Sequence, residues 1–228
     1  MRCRIVLLAR CPRAGWVKTR LAETIGTPAT LGLYRAFLAD QLAFLGSFAA
    51  QHELEWCADG DPGAEFARIA RDSGVRLTRQ VDGDLGARML AALDRSSTDG
   101  VAATVVVGAD SPTLPERLVR AAFSRLAAAE GGVVVPTDDG GYALLGLRLP
   151  PARPIFREIP WGGPAVLAAT RERASGAGLP LFELQGWYDV DDAAGLRRLC
   201  AELGEPGARA RAPETARAIL DLGIGRMV

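Results

Sequence analysis

Apolar residues along the chain fall into two alternating patterns, short continuous runs and longer stretches at helical spacing. Residues 5–9 form a compact apolar run that predicts a buried first strand. Thr27-Pro28 then reads as an N-cap followed by proline at the first helical position. It opens a helix to about residue 49, with Leu31, Tyr34, Leu38, Leu42 and Leu45 at helical spacing. Residues 53–58 predict a second strand, Asp61-Pro62 a helix ending near Gly74, and residues 75–80 a third strand. A helix follows at 84–93, an apolar strand at 102–107 and a helix at 115–129. Strands at 133–136 and 142–147 are separated only by Asp138-Asp-Gly-Gly141. Further on, the pattern gives a helix at 164–174, extended segments at 181–184 and 187–190, and a helix at 193–203. A Gly/Pro/Arg linker at 205–211 leads to a last helix at 213–222.

Strand and helix alternate through the first half, which predicts an α/β protein with a parallel, doubly wound sheet covered on both faces. The turn at 138–141 is too short for a parallel crossover, so it joins antiparallel strands and makes the sheet mixed. The expected architecture is therefore a three-layer α/β/α domain with a mostly parallel mixed sheet. It spans residues 1–228 as one unit, with a core at about 3–203 and a helical appendage at about 205–228.

Composition narrows the function classes. Basic and acidic residues balance at 27 each, which gives no surface for nucleic acid. The four cysteines, Cys3, Cys11, Cys57 and Cys200, contain no C-x-x-C pair and fit neither a disulfide framework nor a zinc site. No apolar run approaches a membrane span, and the expected location is cytoplasmic. The single histidine, His52, has no G-x-S-x-G elbow or reactive-cysteine context, so a general base is expected to be a carboxylate.

The most distinctive stretch is Arg10-Cys-Pro-Arg-Ala-Gly-Trp-Val-Lys-Thr-Arg20, directly after the first strand. It combines Gly15 with four cationic side chains, an arrangement that suits an anion approached by backbone N–H groups. The chain has 26 arginines and one lysine, Lys18, and a lone ammonium in this loop points to contact with phosphate as a compact charge. Open sheets bind ligands beyond the carboxyl ends of their strands, so the polar residues there are the candidates. Asp110 ends the apolar strand at 102–107 and is equally a turn residue before Ser111-Pro112. Asp189 and Asp191 stand at i and i+2, which crowds two carboxylates unless a cation lies between them. They also suit, with Asp192, the acidic N-terminus of the next helix. Carboxylates completed by water and substrate phosphate suit Mg²⁺ or Mn²⁺. Asp84 is an N-cap candidate whose neighbours Gly83, Gly86 and Arg88 also permit close approach of a planar ligand. Asp138-Asp-Gly-Gly-Tyr142 is a hairpin turn that could present an acid to an acceptor hydroxyl, and Trp161-Gly-Gly163 reads as a packed loop or an acceptor platform.

Two common phosphate motifs are excluded. A Walker A loop needs glycine where this chain has Pro12 and Val17, and no G-x-G-x-x-G follows any strand.

Taken together, five blocks resemble a small bacterial family of GT-A-type glycosyltransferases associated with radical-SAM/selenodomain proteins. They are 12–21, Gly83-Asp-Leu-Gly-Ala-Arg-Met89, Gly108-Ala-Asp-Ser-Pro112, Asp139-Gly-Gly-Tyr142 and Asp189-Val-Asp191, in that order. That family is similar in turn to nucleotidyltransferases of the MobA and phospholactate guanylyltransferase kind. The resemblance implies a nucleotide-diphospho-sugar transferase (GT-A) fold of Rossmann-like type. It further implies that Arg13, Gly15, Lys18 and Arg20 address phosphates while Gln80, Asp84, Leu85 and Gly86 line the base. Asp110, Asp189 and Asp191 would hold the divalent cation. Lys18, Asp110 and Asp139 would act in catalysis, and Arg88, Gly141, Tyr142 and Trp161 would meet the acceptor. The chain departs from the family in having Asp-Ser-Pro at 110–112 rather than Asp-x-Asp, and Gly162-Gly163 after Trp161.

The leading expectation is glycosyl transfer from a nucleotide-diphosphate sugar to a small-molecule acceptor. The alternatives are nucleotidyl transfer from an NTP to a phosphorylated small molecule, with pyrophosphate release, and a nucleotide-binding module without catalysis.

Overall fold

A computed structural model describes residues 1–226. The last two residues of the expected C-terminal appendage, 227 and 228, lie outside the described residues. Seven strands form one mixed sheet in the order β3-β2-β1-β4-β6-β5-β7. They are β1 (Cys3–Ala9), β2 (Glu53–Ala58), β3 (Arg76–Arg79), β4 (Ala103–Val107), β5 (Gly132–Pro136), β6 (Tyr142–Arg148) and β7 (Leu181–Glu183). β1 is parallel to β2 and β4, β2 to β3, and β5 to β7, whereas β6 runs antiparallel to both β4 and β5. Six strands therefore point their carboxyl ends at one edge, and β6 starts there.

Apart from Arg4, β1 is apolar, and period-two alternation shows why. Cys3, Ile5, Leu7 and Ala9 enter one core, while Val6 and Leu8 face the other. The first core takes up α2 (Thr27–Gly46), α3 (Gly63–Asp72), α5 (Glu116–Ala128), α7 (Ala193–Glu202) and α9 (Pro213–Asp221). The second is covered by α4 (Leu85–Thr98), the 3-10 turn Arg153–Phe156 and α6 (Val166–Gly176). The layers are thus the expected α/β/α. No helix among the described residues is long and apolar enough to cross a membrane.

Several local expectations change. Residues Thr19–Ile25 are a helix, α1, where a loop was predicted; its apolar signal is only Leu21 and Ile25, both buried at i and i+4. Thr27 is not the N-cap of α2. Gly26, at φ 78, turns the chain between the two helices and caps α2 instead. The predicted linker contains a short helix, α8 (Pro206–Arg211), opened by proline. The segment 187–190 contributes a single bridge, Thr137 to Trp187, rather than a strand. α4 continues to Thr98, five residues beyond the predicted end at 93, with Ser96 buried.

Beneath the sheet's opposite edge, Arg4 and Glu55 are buried charges in one network. Arg4 donates to Glu53, Glu55, Asp99 and Ser96, and Arg95 donates to Glu55. His52 is structural, its ring stacked 4.1 Å from that of Phe123. The four cysteines are free thiols.

Candidate active site

The chain runs from β1 outward to β2 and β3, then returns to the other side of β1 with β4. This reversal makes the β1/β4 boundary the switch point where a doubly wound sheet opens a crevice. A crevice of about 580 Å³ lies there, lined by the loop after β1, the start of α4 and the end of β4.

Lys18 is its centre. The ammonium lies 2.5 Å from Asp110 Oδ1 and donates to Asp191 Oδ1, with only 4% of the side chain exposed. Asp110 follows β4, and Asp191 follows the 187–190 segment, so three distant parts of the chain meet at one cation. Burial alone would lower the ammonium's pKa. The two carboxylates outweigh it and hold the pKa above its ordinary value. On Asp191 burial works the other way, and Lys18 and Arg20 keep its carboxyl below the usual range. Lys18 reaches this position from a left-handed backbone, φ 50 and ψ 47.

The opening loop is shaped by its own side chains. Asp59, after β2, accepts from the Cys11 N–H at 2.6 Å and from Arg13 Nη2 at 3.2 Å. Arg13 also lies over the Trp16 ring at 4.8 Å. Tyr34 Oη donates to the Arg10 carbonyl, and Arg10 Nη1 to the Trp16 carbonyl. Arg10, Thr19, Arg20 and Tyr34 line the crevice, whereas Arg13 and Gly15 do not.

On the α4 side, Asp84 is the N-cap, accepting from Ala87 N at 2.8 Å. It lines the crevice with Leu85, Arg88 and Gln80. Gly86 is buried beneath Trp161. A Cβ there would stand 2.7 Å from the indole ring, so the glycine is what lets Trp161 lie against the start of α4. Gln80 has little left to offer a base: its amide nitrogen donates to the carbonyls of Ala9 and Cys57, and its oxygen accepts from Arg88.

Other sequence-predicted residues stand behind the wall. Asp139 folds onto its own turn, accepting from Thr137 Oγ1 at 2.5 Å and Gly141 N at 2.9 Å. Tyr142 opens β6 with its ring against the second core and its hydroxyl buried without a partner among the described residues, which removes it and Gly141 from the crevice lining. Asp189 does not line the crevice either. Its carboxyl is pushed up to about 6 by burial and by the neighbouring charges of Asp191 and Asp139. The participants that sequence reasoning missed are Asp59 and Tyr34, while Arg10 was read only as one cation of the opening stretch. Asp59 carried a signal, since it follows a strand directly; Tyr34 carried none beyond its place on a helix face.

Among the described residues, no three His, Cys, Asp or Glu side chains converge tightly enough to hold a metal unaided. The donor set nevertheless fits a hard divalent cation completed by substrate oxygens. Asp110 and Asp191 are both about half exposed at 49% and 45%, they already share one cation, and Asp189, only partly offset by Lys18, lies behind them.

The chain is similar to a solved structure described as a "putative nucleotide-diphospho-sugar transferase" from Desulfovibrio desulfuricans G20, with 29% identity and a TM-score of 0.84 over 98% of this chain and 96% of that one. It shares its fold with a cytidylyltransferase from Leptospira borgpetersenii (14% identity, TM-score 0.55, 100% and 97% covered). The same holds for a 4-diphosphocytidyl-2C-methyl-D-erythritol synthase from Anaerococcus prevotii (10% identity, TM-score 0.56, 90% and 99% covered). Among curated protein sequences none matches. A family model matches residues 46–163, and the chain belongs to that family, described as "Uncharacterized protein conserved in bacteria (DUF2064)".

Proposed function

We propose that the protein is a transferase that uses a nucleotide-activated donor, and that it moves a sugar from a nucleotide-diphosphate sugar to a small-molecule acceptor. The observation that carries the reading is Lys18 held between Asp110 and Asp191 at the switch point, with Arg10 and Arg20 on the same crevice wall. Such a wall grips a diphosphate on its cationic side and meets a cation on its acidic side. The similarity to the Desulfovibrio desulfuricans protein supports the same reading.

In this reading Lys18 and Arg20 bind the diphosphate, and Asp84, Leu85 and Arg88 face the nucleoside. Asp110 and Asp191 would hold Mg²⁺ or Mn²⁺, which neutralises charge on the leaving diphosphate. The bond between the anomeric carbon and the distal phosphate oxygen breaks as the acceptor oxygen bonds to that carbon. The acceptor's proton passes to a carboxylate, and Asp139, the acid expected for this, would have to leave its contacts with Thr137 and Gly141 to reach the acceptor. Trp161, lying on Gly86 at the rim, offers a face for the sugar or acceptor.

Nucleotidyl transfer is a second reading, favoured by the three cations on one wall, which suit a triphosphate. There the acceptor phosphate attacks the α-phosphorus and pyrophosphate leaves. Incubation with Mg²⁺ or Mn²⁺ and a panel of NDP-sugars and NTPs separates the two. Nucleoside diphosphate released from a sugar donor supports glycosyl transfer, and pyrophosphate released from an NTP alone overturns it.

A further inference from the structure

The acid-bearing loops of the crevice come from separate parts of the chain, yet side chains of one helix tie them together. Tyr188 Oη and Thr113 Oγ1 both donate to Glu202 Oε2, at 2.5 and 2.7 Å, and Arg211 Nη2 donates to Glu202 Oε1 at 2.7 Å. Tyr188 is one residue before Asp189, and Thr113 is three residues after Asp110. The same two arms are stitched directly by Ser111 Oγ to the Tyr188 carbonyl (2.7 Å) and by Val190 N to the Asp110 carbonyl (2.9 Å). Arg198, one turn before Glu202, stacks over the Tyr188 ring at 4.1 Å and donates to Asp138 beside Asp139. Thr113 and Tyr188 are almost wholly buried, and apart from a 3.3 Å contact between their own hydroxyls Glu202 is the acceptor both of them use. Ser111, which stands where an Asp-x-Asp motif would be read, is itself buried and serves this cross-link rather than a ligand.

We propose that Glu202 on α7 is a positioning residue: through Tyr188 and Thr113 it sets the spacing between Asp110 and Asp191 across the crevice. What those carboxylates do once spaced rests on the transferase reading above; the spacing itself does not. Arg211 extends the tie to α8, so the C-terminal helices brace the site as well as cover the core.

The test compares wild type with Y188F, which keeps the ring and loses one hydroxyl, and E202A, which removes the shared acceptor. Hydrogen exchange is followed at the Val190 amide, bonded to Asp110, and at the β4 amides of Val105 and Val106. The expected result is Val190 exchange faster by about tenfold in both variants, with β4 unchanged. Where a donor is turned over, kcat should fall while nucleotide affinity stays within about twofold. If E202A does not fold, Y188F alone decides the matter. Val190 protection equal to wild type overturns the proposal, as does loosening of β4 by the same factor. A wild type inactive on every donor would remove the transferase reading and leave the exchange result to judge the positioning.

Discussion

Gln80 accepts a 3.0 Å hydrogen bond from Arg88 Nη1 while its amide nitrogen donates to the carbonyls of Ala9 and Cys57. The residue links the ends of β1, β2 and β3 to α4, and Arg88 is further held by the Gly83 carbonyl at 3.1 Å. On the transferase reading proposed above, its contribution to nucleotide binding is to fix Arg88. The variant Q80A should weaken binding of a nucleoside diphosphate by about tenfold, measured by titration calorimetry, and R88A by the same order. Additive losses in the double variant would refute the coupling.

Lys18 is a buried ammonium paired with two carboxylates of the crevice. Removing it leaves Asp110 and Asp191 facing one another with only Arg20, near Asp191, as a counter-charge. K18A is expected to lower nucleotide affinity by about 10- to 100-fold in equilibrium binding. K18R should not restore it, because a planar guanidinium cannot occupy the compact position between two carboxylates. Recovery to wild-type affinity in K18R would show that charge alone matters there.

Gly195 sits where α7 presses against the 189–190 backbone. A Cβ would meet the Asp189 carbonyl oxygen at 2.7 Å and Val190 Cα at 3.1 Å, and neither atom can rotate aside. G195A should destabilise the protein by about 1–3 kcal/mol in urea unfolding. Because the displaced backbone carries Asp189 and Asp191, turnover should drop by more than the stability loss explains at a temperature where the variant stays folded.

The Arg4 network governs stability at the other edge of the sheet. Glu55 has no exposed surface, and Arg4 and Arg95 are its charge partners. R4M should cost about 3–5 kcal/mol, since it leaves a buried carboxylate with part of its compensation gone. Hydrogen bonds from Arg4 hold the Glu53 and Asp99 carboxyls below their ordinary values of 4.5 and 3.8. Depressed carboxyls stabilise the fold fully above those values, and the contribution fades as pH falls through the lower folded-state pKa. Wild type should thus lose stability as the pH drops below about 4, and R4M should show a shallower acid limb in pH-dependent urea titrations.

Much of the fold was legible because its signals are local. The apolar runs of β1 and β4 and the short turn before β6 each mark their elements within ten residues. Asp110 stood out as a polar group delivered by an apolar strand, and Lys18 as the one lysine, set in a glycine-containing cationic loop. What escaped depends on contacts across the chain. Nothing near Gln80 shows that its amide is fully engaged, because its partners lie on other strands and on α4. Glu202 reads as one more surface acid at a helix end, and only the fold brings Tyr188 and Thr113 to it. The α1 helix was missed because seven residues with two apolar positions carry too little periodicity to be read.

The backbone of Lys18 has a consequence for how this protein balances robustness against use. A side chain at φ 50 stands in a conformation that glycine adopts freely and other residues hold at about 1–2 kcal/mol. Exchanging Lys18 for glycine should relieve that strain, so K18G should bind nucleotide as weakly as K18A yet unfold at higher denaturant than K18A does. If that ordering holds in urea titrations, the backbone at position 18 carries strain that the lysine's contacts with Asp110 and Asp191 offset.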